Sequence, residues 1–151
     1  MSTQATPTDA ELILKLYDLR REAEMRKARN FMVGQFWPES AEEVLKVANA
    51  MGTQENAWMR QVNGYWEMAA SLVVHGTLNQ ELFLETSFCG EMFMIFAKIQ
   101  PFLAEIRQKM GSNVFGHVEK VITSSEKGRN TLKLFEQRVA ARRKAMREAA
   151  A

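Results

Sequence analysis

Apolar side chains recur at helical spacing along nearly the whole chain. Leu12, Leu16, Leu19 and Ala23 form one such series. Trp58, Val62, Tyr65, Ala69 and Leu72 form a second, opposed by Arg60, Asn63, Glu67 and Ser71. Val114, Val118, Val121 and Ile122 form a third, and Leu132, Phe135, Val139 and Met146 a fourth. Steps of three and four residues place each set on one face of an α-helix. No stretch alternates polar and apolar residues as a half-buried strand does, so the pattern predicts an all-α bundle of about six helices.

Capping residues and breakers set the boundaries. Pro7, then Thr8 with Glu11 three residues on, reads as a capping box and opens a first helix over about 8–33. Its second half, RREAEMRKARN, is largely charged, with Glu22 and Arg26 placed as an exposed pair. This helix is therefore expected to lie partly exposed, touching the body through Met25, Ala28 and Met32 and facing solvent or another chain elsewhere. GQFWP reads as a connector, Ser40 with Glu43 as a second capping box, and Gly52 and Gly76 as helix stops, with Asn79 as the next cap.

A long central helix should then run from about Asn79 toward Met110. Gln80, Ser87, Glu91, Lys98, Glu105 and Lys109 fall on one narrow strip, expected to be its wet face, and most other positions are apolar. So thin a polar stripe predicts cover on most sides, by the same chain or by a second copy. Pro101 cannot donate to the carbonyl one turn back, which predicts a kink near Lys98 to Pro101. Ser124, Ser125 and Gly128 mark an expected weak point before the last helix. The reading is one helical domain over 1–151, ending in a basic helical tail at about 130–149.

Composition adds little until charge is resolved by position. The 46% hydrophobic and 25% charged shares are ordinary, and three prolines and eight glycines suit long helices. Residues 1–30 hold six Lys/Arg against five Asp/Glu, residues 31–126 six against eleven, and residues 127–151 eight against two. An acidic body thus ends in a basic tail. One cysteine excludes an internal disulfide, and the opening residues lack the basic and then apolar pattern of a secretory signal, so a cytoplasmic setting is expected.

Candidate chemistry is sparse. Cys89 shares a helix face with Met92, Phe93 and Phe96, which predicts a buried, unreactive thiol. Glu85, Glu91, Lys98 and Glu105 interrupt the apolar segment around it too often for a membrane span. His75 with Glu67 and Ser71, eight and four residues earlier, makes a candidate polar groove, whereas His117 reads as a boundary residue. Neither histidine has metal-ligand spacing, so no metal is expected. No phosphate-cradling glycine loop, nucleophile elbow or dinucleotide fingerprint is present, hence no catalytic residue and no cofactor are assigned. Trp58, Trp66, Phe93 and Phe96 form the candidate wall for a small apolar ligand, though such spacing is first of all that of core residues. Arg138, Arg142, Arg143, Lys144 and Arg147 are the candidate phosphate contacts of the tail, without interleaved aromatics for base stacking.

The stretch WMRQVNGYWEMAASLVVHGTLNQELFLETSF, followed by PFLAEIRQKMGSNVF and HVEKV, resembles a family of small helical bacterial proteins known only as a domain of unknown function. The likeness rests on Tyr65, Trp66, Gly76 and Leu78 at helix junctions and covers about residues 55–125. It implies a helical fold and lends no activity. The function expected from the sequence is an interaction or scaffold module that self-associates, with nucleic-acid binding through the tail as the second reading and a small-ligand pocket as the third.

Overall fold

Pro7 begins helix α1 (Pro7–Leu19) in the computed structural model, which describes residues 4–151. The first three residues of the expected 1–151 domain lie outside that range. Thr6 is the N-cap, and Asp9 completes the capping box by accepting from the Thr6 backbone. The box expected at Thr8 and Glu11 is thus shifted by two residues, because proline suits the first helical position directly after a capping threonine. The expected 8–33 helix is also divided. A turn at Arg20 to Glu22 separates α1 from α2 (Ala23–Asn30), where the Glu22 side chain caps the Glu24 and Met25 N–H groups. Met25, Ala28 and Met32 are buried, as their spacing predicts.

The chain leaves α2 through a π-helical turn, Phe31–Gln35, then enters α3 (Ala41–Asn49) under the Ser40 cap. Asn56, near the start of α4 (Gln54–Val74), is fully buried because its amide donates to the carbonyls of Val47 and Ala48 at the end of α3. Gly76 stops α4 with φ +77°, a left-handed conformation that glycine adopts without steric cost. Asn79 caps the single turn α5 (Gln80–Phe83) through its bond to Leu82 N–H.

The expected long central helix is α6 (Thr86–Ile99), followed by a 3₁₀ turn over Gln100–Phe102 and then α7 (Leu103–Met110). The break at Pro101 is where the missing N–H requires it. A second break at Leu84 and Glu85 detaches α5. Helix α8 (Gly116–Thr123) and helix α9 (Glu126–Ala150) complete the fold, giving nine α-helical segments and no strand among the described residues.

Helix α6 is covered by its own chain. Phe88, Cys89, Met92, Phe93, Ile95, Phe96, Ala97 and Ile99 are all buried. Phe93 stacks on Phe135 of α9 with ring centroids 5.6 Å apart, and Phe96 meets Phe115 edge-on. Trp66 of α4 lies edge-on to Tyr65, Phe83 and Phe88. The all-round apolar character of this helix therefore needs no second copy. Trp66, Phe93 and Phe96 pack as core, and only Trp58 of the candidate ligand wall is partly exposed.

The Ser124–Gly128 segment, expected to be weak, forms a tight corner. Ser125 caps α9 by accepting from Gly128 N–H at 3.0 Å. A Cβ on Gly128 would lie 2.1 Å from the Ile122 carbonyl oxygen, so close approach of α8 and α9 requires glycine there.

Candidate functional site

Two buried charge centres hold the helices together, and both use residues expected on the wet strip. Glu91 of α6 accepts from Arg29 Nε at 2.7 Å and from Trp66 Nε1 at 2.9 Å. The neighbouring Arg20 is 5% exposed, donates from Nη1 to the Phe88 carbonyl at 2.8 Å, and lies against the rings of Tyr17, Trp66 and Phe88. Tyr65 donates its hydroxyl to the Leu16 carbonyl, closing α1 onto the same region. Burial pushes the Tyr65 phenol up to about 12.

Lys98 is the second centre and is only 1% exposed. Its Nζ donates to the carbonyls of Met32, Val33 and Phe36, the last at 2.7 Å, and so caps the open end of the π-helical turn. Trp37 lies near two cations, with Lys98 Nζ 4.6 Å and the Arg143 guanidinium 5.8 Å from its ring. Burial, with the positive charge of Arg143 added, brings Lys98 down to about 7. Of the expected wet strip, Glu91 and Lys98 turn inward; Ser87, Glu105 and Lys109 are exposed. Helical periodicity marks a polar face, but carbonyls more than sixty residues earlier decide that this lysine is needed inside.

The candidate groove of Glu67, Ser71 and His75 is reorganised. Phe115 precedes α8 in a left-handed conformation, φ 56°, and supplies no side-chain cap. The Glu67 carboxylate supplies it from α4, accepting from the N–H groups of His117 at 2.6 Å and Val118 at 3.2 Å. His117 Nδ1 lies 3.5 Å from the same carboxylate, and its ring is 6.0 Å from that of His75. Ser71 turns its hydroxyl to the Met68 carbonyl, while its own carbonyl meets His75 Nδ1 at 2.8 Å. The structure thus joins Glu67 to His117, which the sequence treated as a boundary residue, and directs the Ser71 hydroxyl away. The available signal was the uncapped first turn of α8. The arrangement offers an exposed histidine pair with a capping carboxylate and no nucleophile. Among the described residues no group of three or more His, Cys, Asp or Glu is arranged to hold a metal ion. Burial pushes the Cys89 thiol up to about 12, which leaves it protonated at neutral pH.

The basic tail does not present one face. Arg143 points inward and donates to the carbonyls of Pro38 at 2.7 Å and Lys98 at 3.2 Å, clamping α9 to the connector. Arg138 lies over the Phe135 ring, and Lys144 stands 4.0 Å from Glu148. At about 100° per residue, Arg147 projects roughly opposite Arg138, with Arg142 nearer the latter. Two concavities flank these elements. A cleft of about 210 Å³ lies between Trp37 and Glu39 and the end of α9. A broader groove of about 650 Å³ runs past Asp9, Gly76, Asn79, Lys120 and Ser124. Asp9 is already committed there to Thr6 and the Asn79 N–H, and those bonds hold its carboxyl below the usual range.

Apolar residues are exposed most densely on α1. Leu14 is 68% exposed and Tyr17 45%, and Leu19 is exposed near the end of the same helix. Ala10, Leu14 and Tyr17 recur at intervals of four and three residues on the side facing away from Leu16.

The fold and its surface define a small all-helical domain whose buried charges tie helices to one another. No helix of the described residues is long and apolar enough to cross a membrane. The sequence model of the family described as Domain of unknown function (DUF4760) matches residues 5–125, and the chain belongs to that family. The match ends at the cap of α9, so the basic helix stands outside it although its Phe135 packs on the α6 core. No curated protein and no solved structure matches the chain.

Proposed function

We propose that this domain is a self-associating interaction module, working in a reducing compartment such as the cytoplasm. The observation that carries the reading is the exposed apolar stripe on α1, Ala10, Leu14 and Tyr17, on a helix otherwise anchored by Leu16, Asp9 and Arg20. Exposed apolar side chains gathered at helical spacing suit a partner surface, whereas scattered ones need no partner. The buried ionisable groups support the same reading, because Lys98, Glu91 and Asp9 spend their bonds inside the fold. The splayed cations of α9 give less support to a phosphate-tracking surface, which gains from a continuous stripe.

Light scattering over a concentration series tests this directly. The mass of the chain should rise from 17.3 kDa toward twice that value between about 1 μM and several hundred μM, a range suited to a small interface. Leu14→Glu should hold the protein at 17.3 kDa throughout. A wild-type chain that stays at 17.3 kDa over the whole range would overturn the proposal.

A further inference from the structure

We infer that His75 and His117 form a binding site for a divalent transition metal such as zinc, held between their Nε2 atoms. The two residues reach the site from different helices, His75 as the last residue capping α4 and His117 in the first turn of α8. Their ring centroids stand 6.0 Å apart, with the planes tilted by 44°. With zinc–nitrogen bonds of about 2.0–2.1 Å, two imidazoles sharing one ion have centroids roughly 5–6 Å apart. The pair is therefore spaced to hold one ion with little movement of either ring.

The groups around the rings decide which nitrogen each one offers. His75 Nδ1 lies 2.8 Å from the Ser71 carbonyl, which can only accept, so this nitrogen carries the proton and Nε2 keeps its lone pair. His117 Nδ1 lies 3.5 Å from Glu67 Oε2, and that negative charge favours the same tautomer. Metal-binding histidines are oriented in this way, one ring nitrogen directed to a carbonyl or carboxylate and the other to the ion. Glu67 is itself fixed by the N–H groups of His117 and Val118, so its position does not depend on an ion. It also brings a negative charge to a pair whose neighbour one turn along α8, Lys120, is a cation. Both imidazoles are exposed, and they supply fewer ligands than a structural zinc site does. Water fills the remaining positions, so the ion is exchangeable.

Calorimetric titration of the full chain with zinc chloride at pH 7.5 tests the site. The wild type should bind one zinc ion per chain in a saturable step, and magnesium, which prefers oxygen ligands, should give no such step. His75→Ala and His117→Ala should each weaken zinc binding by at least about tenfold, since a single imidazole is left. Both changes fall on exposed side chains and keep the backbone N–H groups that Glu67 caps, and far-UV circular dichroism checks that the helices persist. A wild-type chain without saturable zinc binding, or zinc binding that is unchanged in both histidine variants, would overturn the proposal.

Discussion

Glu91→Ala should lower folding stability by about 2–4 kcal/mol, since it breaks a half-buried ion pair and leaves a core indole N–H without its acceptor. With a urea slope of about 2 kcal/mol per M, the midpoint should fall by about 1–2 M. The size follows from what Glu91 serves. Its two oxygens separately hold Arg29 and Trp66, and Arg20 lies against that same Trp66 ring with its Nε lacking a protein acceptor. Removing the carboxylate leaves a cluster of two arginines without an opposing charge and strands the indole N–H in the core. Glu91→Gln keeps an acceptor for Trp66 and loses only the charge, so its loss should be about half as large. Equal losses in the two variants would show that the ion pair with Arg29, and not the hydrogen bond to Trp66, carries the whole effect.

Lys98 should make stability depend on pH in a direction opposite to that of a surface lysine. In the unfolded chain its amine keeps a proton up to about 10.5, whereas in the fold it falls to about 7. Between those values the unfolded state binds more protons, so stability rises with pH from about 7 upward. Cys89 and Tyr65 work the other way. Both are raised to about 12 from ordinary values of 9.0 and 10.0, so the fold loses stability as pH climbs past 9.0 and then past 10.0. Urea midpoints at pH 6, 7.5 and 9 should therefore increase in the wild type. Lys98→Met should remove that increase. At pH 9 it should also cost about 1–3 kcal/mol, because carbonyls around the π-helical turn lose their donor. A midpoint that is flat in the wild type, or that rises equally in Lys98→Met, would contradict this role.

These two residues also show how far the sequence could be read. Local signals are legible, since a cap or a break involves neighbours three or four residues apart. Ser40, Asn79, Gly76 and Pro101 all act where their chemistry predicts. Even the misplaced first cap differs only in which of two threonines precedes the helix. The core aromatics and Cys89 are legible too, because an apolar helix face has few alternatives to burial. Glu91 and Lys98 were not, since their partners are 62 and 66 residues away at Arg29 and Met32. Periodicity places both on a polar strip, and nothing nearby in sequence says whether water or a buried group satisfies that strip. The same limit applies to Glu67, whose role is set by the uncapped α8 across the fold. Of the candidate surface, the sequence marked the series Leu12, Leu16, Leu19 and Ala23, whereas the exposed stripe is Ala10, Leu14 and Tyr17 on another side of the helix. Two short apolar series on one helix do not tell which is covered, and the turn at Arg20 to Glu22 that ends α1 was not legible either.

Hydrogen–deuterium exchange of the wild-type chain at low and high protein concentration addresses the surface of α1 most directly. Raising the concentration should slow exchange over residues 10–21 and leave residues 138–150 of α9 unchanged. Concentration-dependent protection that appears in α9 or elsewhere, with none in α1, would contradict the assignment of α1 as the contact helix.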